Sequence, residues 1–146
     1  MNEWDDRFFD LADMVGSWSK DPSTKVGAVI IRPDRTIASV GYNGFPRGVD
    51  DSPEIYEDRP TKYMRIVHGE ANAILSAREP LHGYTLYVTP LHPCATCSGL
   101  IIQAGIKVVN YSMSKQNIRN DAWQQHYEQM TEMFLQAGIR YYGRYR

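Results

Sequence analysis

Apolar side chains recur at steps of three and four near the start of the chain, at Trp4, Phe8, Leu11, Ala12 and Val15. That stripe predicts one amphipathic helix packed on a core. From Lys25 to Tyr42 the period shortens. Val26 with Ala28 to Ile31, then Ile37 to Val40, form two β-type runs, and Pro33-Asp34-Arg35 between them is turn chemistry. The segment predicts a β-hairpin. The pattern dissolves between Asn43 and Pro60, where Gly, Pro and Asp dominate. A long irregular loop in a compact chain is commonly functional. Helical spacing returns over His68 to Glu79, stopped by Pro80, and over Cys94 to Ala104, ended by Gly105. It returns again over Asp121 to Ala137, with Trp123, Tyr127, Met130, Phe134 and Ala137 on one face. Tyr84 to Thr89 and Ile106 to Tyr111 read as strands, and the closing IRYYGRYR as a last one. The order α-β-β-α-β-α-β-α-β predicts an α/β sandwich with five strands.

Length and charge narrow the function classes. A chain of 146 residues is expected to form one domain with a real core, and its 42% hydrophobic and 23% charged content is ordinary for a globular protein. A formal net charge of −1 offers no global basic excess for a phosphate backbone, so a small substrate is expected rather than a nucleic acid. The alternating basic and aromatic RYYGRYR would suit stacking on a nucleic acid, although an edge strand or tail is the plainer reading. The acidic start, MNEWDDRFFDLADM, lacks the features of a signal peptide, and no apolar run is long enough to span a membrane. A cytoplasmic protein is expected. Disulfides are rare there, so close cysteines point to metal or chemistry.

The two cysteines form a single C-x-x-C, Cys94 and Cys97, just after Pro93 at the start of a predicted helix. A helix N-terminus favours thiolates, and a thiolate pair can share one zinc. A catalytic zinc takes three protein ligands and leaves a position open. His68, at the start of another predicted helix, supplies the third, and Glu70 lies two residues on without being a ligand. Two other readings stay open at this point: a redox C-x-x-C pair, and a structural zinc with His92 as fourth ligand. His82 and His126 carry no motif.

His68-Gly69-Glu70 followed by Pro93-Cys94-Ala95-Thr96-Cys97 matches the signature of zinc nucleobase deaminases, H-x-E … P-C-x-x-C. The chain resembles the cytidine deaminase superfamily. Further segments resemble its deoxycytidylate (dCMP) deaminase branch: SKDPSTKVGA from Ser19, GYNGFPRG from Gly41, and CSGLIIQAGIK from Cys97. The resemblance implies a three-layer α/β/α sandwich with a five-stranded mixed sheet. It implies hydrolysis of dCMP to dUMP and ammonia, feeding thymidylate synthesis, with Zn2+ held by His68, Cys94 and Cys97. Glu70 would take a proton from the attacking water, deliver it to ring N3 and help protonate the departing amine. Gly69 N–H would meet the ring O2, Asn43 the deoxyribose, and Val26 would lie beside the substrate. Lys25, Arg65 and Lys115 are the phosphate candidates, and Arg78 a candidate subunit contact. The family further implies a homo-oligomer, commonly a hexamer, activated by dCTP and inhibited by dTTP with Mg2+. Gly41, Tyr42, Asn43 and Gly44 would form the effector loop, although Asn-Gly is also plain turn chemistry. Two departures stand out: glycine at position 69 where many relatives have alanine, and Ser114 near where some carry an acid. With no cysteine to spare, a second zinc is not expected. Rival readings are a deaminase of cytidine, dCTP or tRNA adenosine, and a non-catalytic nucleotide sensor, against which Glu70 speaks.

Overall fold

A computed structural model describes residues 2–113 and 121–146, so Ser114 and Lys115 lie outside the described residues. The first helix, α1 (Glu3–Gly16), starts at a capping box in which Asn2 and Asp5 each accept the other's backbone N–H at 3.1 Å. It buries Phe8, Phe9, Ala12 and Val15. Phe9 is an addition to the predicted stripe. The hairpin follows as β1 (Gly27–Ile31) and β2 (Ile37–Tyr42). Strands β3 (Thr85–Thr89), β4 (Val108–Met113) and β5 (Arg140–Tyr145) complete one sheet in the order β2-β1-β3-β4-β5. The β2-β1 and β1-β3 pairs are antiparallel, whereas β3-β4 and β4-β5 are parallel, so the sheet is mixed.

Strand alternation sorts the core into two layers. Val29, Ile31 and Tyr87 face α1 and pack with Phe8, Phe9 and Ala12. Ala28, Ile30, Leu86, Val88 and Val109 face the other way, against α4 (Gly69–Ser76), α5 (Ala95–Ala104) and α6 (Asp121–Ala137). Ala73, Ile101, Met130 and Phe134 are the contributions of those helices. The result is the three-layer α/β/α sandwich expected. The segment RYYGRYR is an edge strand. Its Arg144 pairs with Asp6, and Arg146 with Asp10 and with Asp13 at 2.8 Å, so these two arginines are engaged by α1. Among the described residues no helix is long and apolar enough to cross a membrane.

Two expectations need correction. The stretch from Asn43 to Pro60 is not wholly irregular: it holds α2 (Pro53–Glu57) and opens α3 (Arg59–Arg65). A proline stands in the first turn of each, where its missing N–H costs nothing. The helix after His68 stops at Ser76 rather than Glu79, because Ala77 leaves helical geometry at ψ 144. That exit frees Glu79 to accept from Arg32 Nε at 3.0 Å and Tyr84 Oη at 2.6 Å. Arg78 therefore lies beyond the helix, with Nη1 on Ser76 O.

Candidate metal centre and active-site cleft

His68 and Cys94 are the N-caps of α4 and α5, each in extended geometry. Two helices on the same face of the sheet thus point their N-termini at one spot. His68 Nδ1 lies 3.4 Å from Cys94 Sγ and 3.3 Å from Cys97 Sγ. Ordinary Zn–N and Zn–S bonds in a tetrahedron put such atoms about 3.6 Å apart, so the donor set fits a zinc with little movement. Among the described residues this trio is the group whose ligand atoms converge, and His92 is not in it. Both cysteines are free thiols rather than a disulfide. Cys94 Sγ also accepts the Cys97 N–H at 3.4 Å. Its pKa is held well below the ordinary thiol value by the bond from Cys97, with His68 assisting, while the same pairing and burial push the Cys97 pKa up. The Cys94 contact raises the His68 pKa. His92 instead stacks on Trp123 at 4.5 Å between centroids, and its burial lowers its pKa.

Glu70, in the first turn of α4, is 4% exposed and outside the ligand group. Burial pushes its carboxyl up to about 7. Glu70 and His68 line a cleft of about 630 Å³. Gly69, Val26 and Asn43 line it as well. A methyl at position 69 would stand 3.1 Å from Val26 O, so alanine there fits only after a small shift. Asn43 is buried with both ends of its amide engaged. Its Oδ1 accepts from Val26 N at 2.8 Å, and its Nδ2 donates to Thr24 O at 2.9 Å and Asp21 Oδ2 at 3.3 Å.

Of the phosphate candidates, Lys25 and Arg65 are not among the residues that line the cleft, and Lys115 lies outside the described residues. Lys25 Nζ donates to Ser19 O, and Arg65 is an exposed residue in the last turn of α3. Among the described residues, the cleft's lysine and arginine are Lys62 and Arg59, both on α3 and both missed in the sequence. Lys62 is buried and pairs with buried Asp21 at 2.8 Å. A third wall comes from α6, whose Trp123 and His126 line the cleft. His126 Nδ1 accepts the backbone N–H of Ala95 at 3.0 Å, tying α6 to the first turn of α5. The i, i+3 spacing of Trp123 and His126 was the available signal. Gly41, Tyr42 and Gly44 do not line the cleft. Gly41 is squeezed against α4, Tyr42 meets Trp18 edge to face at 6.2 Å, and Gly44 exchanges two backbone bonds with Val67. Asn43-Gly44 is not a left-handed turn, since neither residue has positive φ.

Residues 2–113 match the family described as the cytidine and deoxycytidylate deaminase zinc-binding region. The chain belongs to this deaminase family. One relative in it, an uncharacterized deaminase in the luxG 3' region of Aliivibrio fischeri, is 45% identical over 139 residues, covering 95% of this chain and 92% of that one. The mouse deoxycytidylate deaminase is 40% identical over 119 residues, 77% of this chain and 66% of that longer protein. Among solved structures, the dCMP deaminase of cyanophage S-TIM5 superposes with a TM-score of 0.73 at 23% identity, over 99% of this chain and 98% of that one. That likeness is one of fold. The family match stops at Met113, so the α6 wall of the deaminase cleft lies beyond it.

Proposed function

We propose that the chain hydrolyses dCMP to dUMP and ammonia. The observation that carries this is the convergence of His68, Cys94 and Cys97 on one point beside a buried carboxylate, all at one cleft. A zinc ion bound by the trio would lower the pKa of its water toward ~7 and so supply a nucleophile at neutral pH. Glu70 would accept one proton of the attacking water and deliver it to ring N3, then take the proton of the new C4 hydroxyl and pass it to the amine, which leaves as ammonia as the C4–N bond breaks and the C4 carbonyl forms. Its burial excludes solvent that would otherwise compete for those protons. Gly69 N–H orients the base through O2. Asn43 and Val26 hold the sugar side, and the bonds that fix Asn43 keep that wall rigid before substrate arrives.

The deoxynucleotide monophosphate is favoured over other cytosine substrates by the SKDPSTKVGA and GYNGFPRG segments and by relatives named deoxycytidylate deaminases, the mouse protein among them. The S-TIM5 enzyme, solved with dCMP and dUMP, has the same fold at a TM-score of 0.72. With this reading come a cytoplasmic location, assembly into a hexamer, and activation by dCTP and inhibition by dTTP with Mg2+, through the stretch Gly41 to Gly44.

The test is ammonia release from dCMP, cytidine, dCTP and a tRNA anticodon loop, alongside measured zinc content. dCMP is expected to be the preferred substrate. Glu70→Gln should lower kcat by roughly 100- to 10,000-fold while zinc content stays unchanged. A zinc-loaded protein that releases no ammonia from dCMP, with or without dCTP, would overturn the reading in favour of a nucleotide sensor.

A further inference from the structure

The charges at the cleft wall are few and sit on known elements. Among the described residues, the acids lining it are Asp21 and Glu70, and the lysine and arginine are Lys62 and Arg59. Lys62 is spoken for. Its Nζ donates to Asp21 Oδ1 at 2.8 Å, and the pair is sealed, with side chains 6% exposed on both partners. Asp21 in turn accepts from Ser23 N at 2.8 Å and Asn43 Nδ2 at 3.3 Å, which locks the pair into the wall. A sealed ion pair presents no net charge to a ligand.

Arg59 differs in each respect. It is the first residue of α3 and exposed. Among the described residues it has no carboxylate within ion-pairing distance. Its Nη1 rests on Tyr63 Oη at 3.0 Å, a neutral partner one turn on, which lines the same cleft. An arginine offers five N–H donors in a fork that matches the oxygens of a phosphate. Of the cations first considered for this role, Lys25 and Arg65 are absent from the described cleft wall, and Lys115 lies outside the described residues.

We infer that Arg59 is the residue by which the cleft selects a 5'-monophosphate over the bare nucleoside, with Lys62 a positioning residue that holds the wall through Asp21. This rests on the deaminase reading above. When a nucleotide enters, the guanidinium exchanges Tyr63 Oη for the phosphate oxygens, while the sealed pair contributes no discrimination. Tyr63 thus serves as the resting partner of the arginine.

The experiment measures inhibition of dCMP turnover by dUMP and by deoxyuridine in the wild type, Arg59→Gln and Arg59→Lys. These ligands share base and sugar and differ in the phosphate. In Arg59→Gln the inhibition constant of dUMP should rise about 10- to 100-fold, and kcat/KM for dCMP should fall by a similar factor. The constant for deoxyuridine should stay within twofold, which also shows that the cleft is intact. Arg59→Lys should recover part of the loss. Equal weakening of both inhibitors, or no change in either, would overturn the assignment to Arg59. A wild type that turns over cytosine substrates but binds dUMP no better than deoxyuridine would overturn it too. A wild type inactive on dCMP would instead overturn the deaminase reading itself.

Discussion

Gly41→Ala is expected to damage the enzyme from a position that does not touch the cleft. Gly41 lies on β2 directly beneath α4. A Cβ built there would sit 2.3 Å from Ala73 N, 2.6 Å from Gly69 O and 2.8 Å from the carbonyl carbon of Asn72. All three are backbone atoms of α4, so no rotamer change relieves the overlap. Restoring ordinary contact at 3.4 Å requires α4 to retreat by about 1.1 Å. Forced overpacking of this kind costs about 1–3 kcal/mol. In a chain of this size that lowers Tm by roughly 3–10 °C. The retreat also carries His68 and Glu70 away from Cys94 and Cys97, and a displacement of about 1 Å at a reacting group can cost roughly 100-fold in rate. The assay is thermal melting with kcat/KM for dCMP, with Gly99→Ala as control. Gly99 lies within α5 and a Cβ there meets nothing within 4 Å, so the control should gain about 0.5–1 kcal/mol and keep its activity. Wild-type melting and turnover in Gly41→Ala would refute the reasoning, because the clash would then have been absorbed without moving α4.

Lys62→Met should cost about 3 kcal/mol in a denaturant titration, the low end for orphaning a buried charge, since Asp21 keeps donors from Ser23, Thr24 and Asn43. A loss below about 1 kcal/mol would mean the pair is solvated in solution. Stripping the metal with a chelator should abolish ammonia release and lower Tm, by about 4 kcal/mol of stability if zinc had been present at a thousandfold over its Kd. Added zinc should restore both. An unchanged Tm in protein shown to be metal-free would separate the His68, Cys94, Cys97 cluster from metal binding.

The trio that could hold a metal was legible in the sequence because each member sits at a helix start marked by apolar spacing at three and four, within the H-x-E and P-C-x-x-C patterns. The unbroken apolar run Ala28 to Ile31 likewise marked a strand buried on both faces, although which residue meets which layer came only with the fold. What stayed hidden was contact over distance. Asp21 and Lys62 are 41 positions apart, and neither has a local feature that marks it as buried. Their union appears only when α3 folds under the loop after α1. Arg59 was concealed by composition, because a stretch rich in Pro, Gly and Asp reads as loop even where proline opens a helix. His126 was passed over as motif-free, since its partner is a backbone N–H, which no residue type advertises. Tyr42 and Gly41 were assigned by likeness alone, and their neighbours, Trp18 and α4, could not be read from the sequence.

The bond from Ala95 N–H to His126 Nδ1 has a consequence for how this cleft can be remodelled. The residues proposed as metal ligands and proton carrier belong to one stretch of polypeptide, the α6 wall to another that follows it. Grafting a different final helix onto the scaffold could then redraw the shape of the chamber while leaving the reaction centre untouched. The graft would succeed only if it also brought an acceptor to the mouth of α5. A donor that reaches the other way would leave Ala95 N–H unanswered one residue from Cys94.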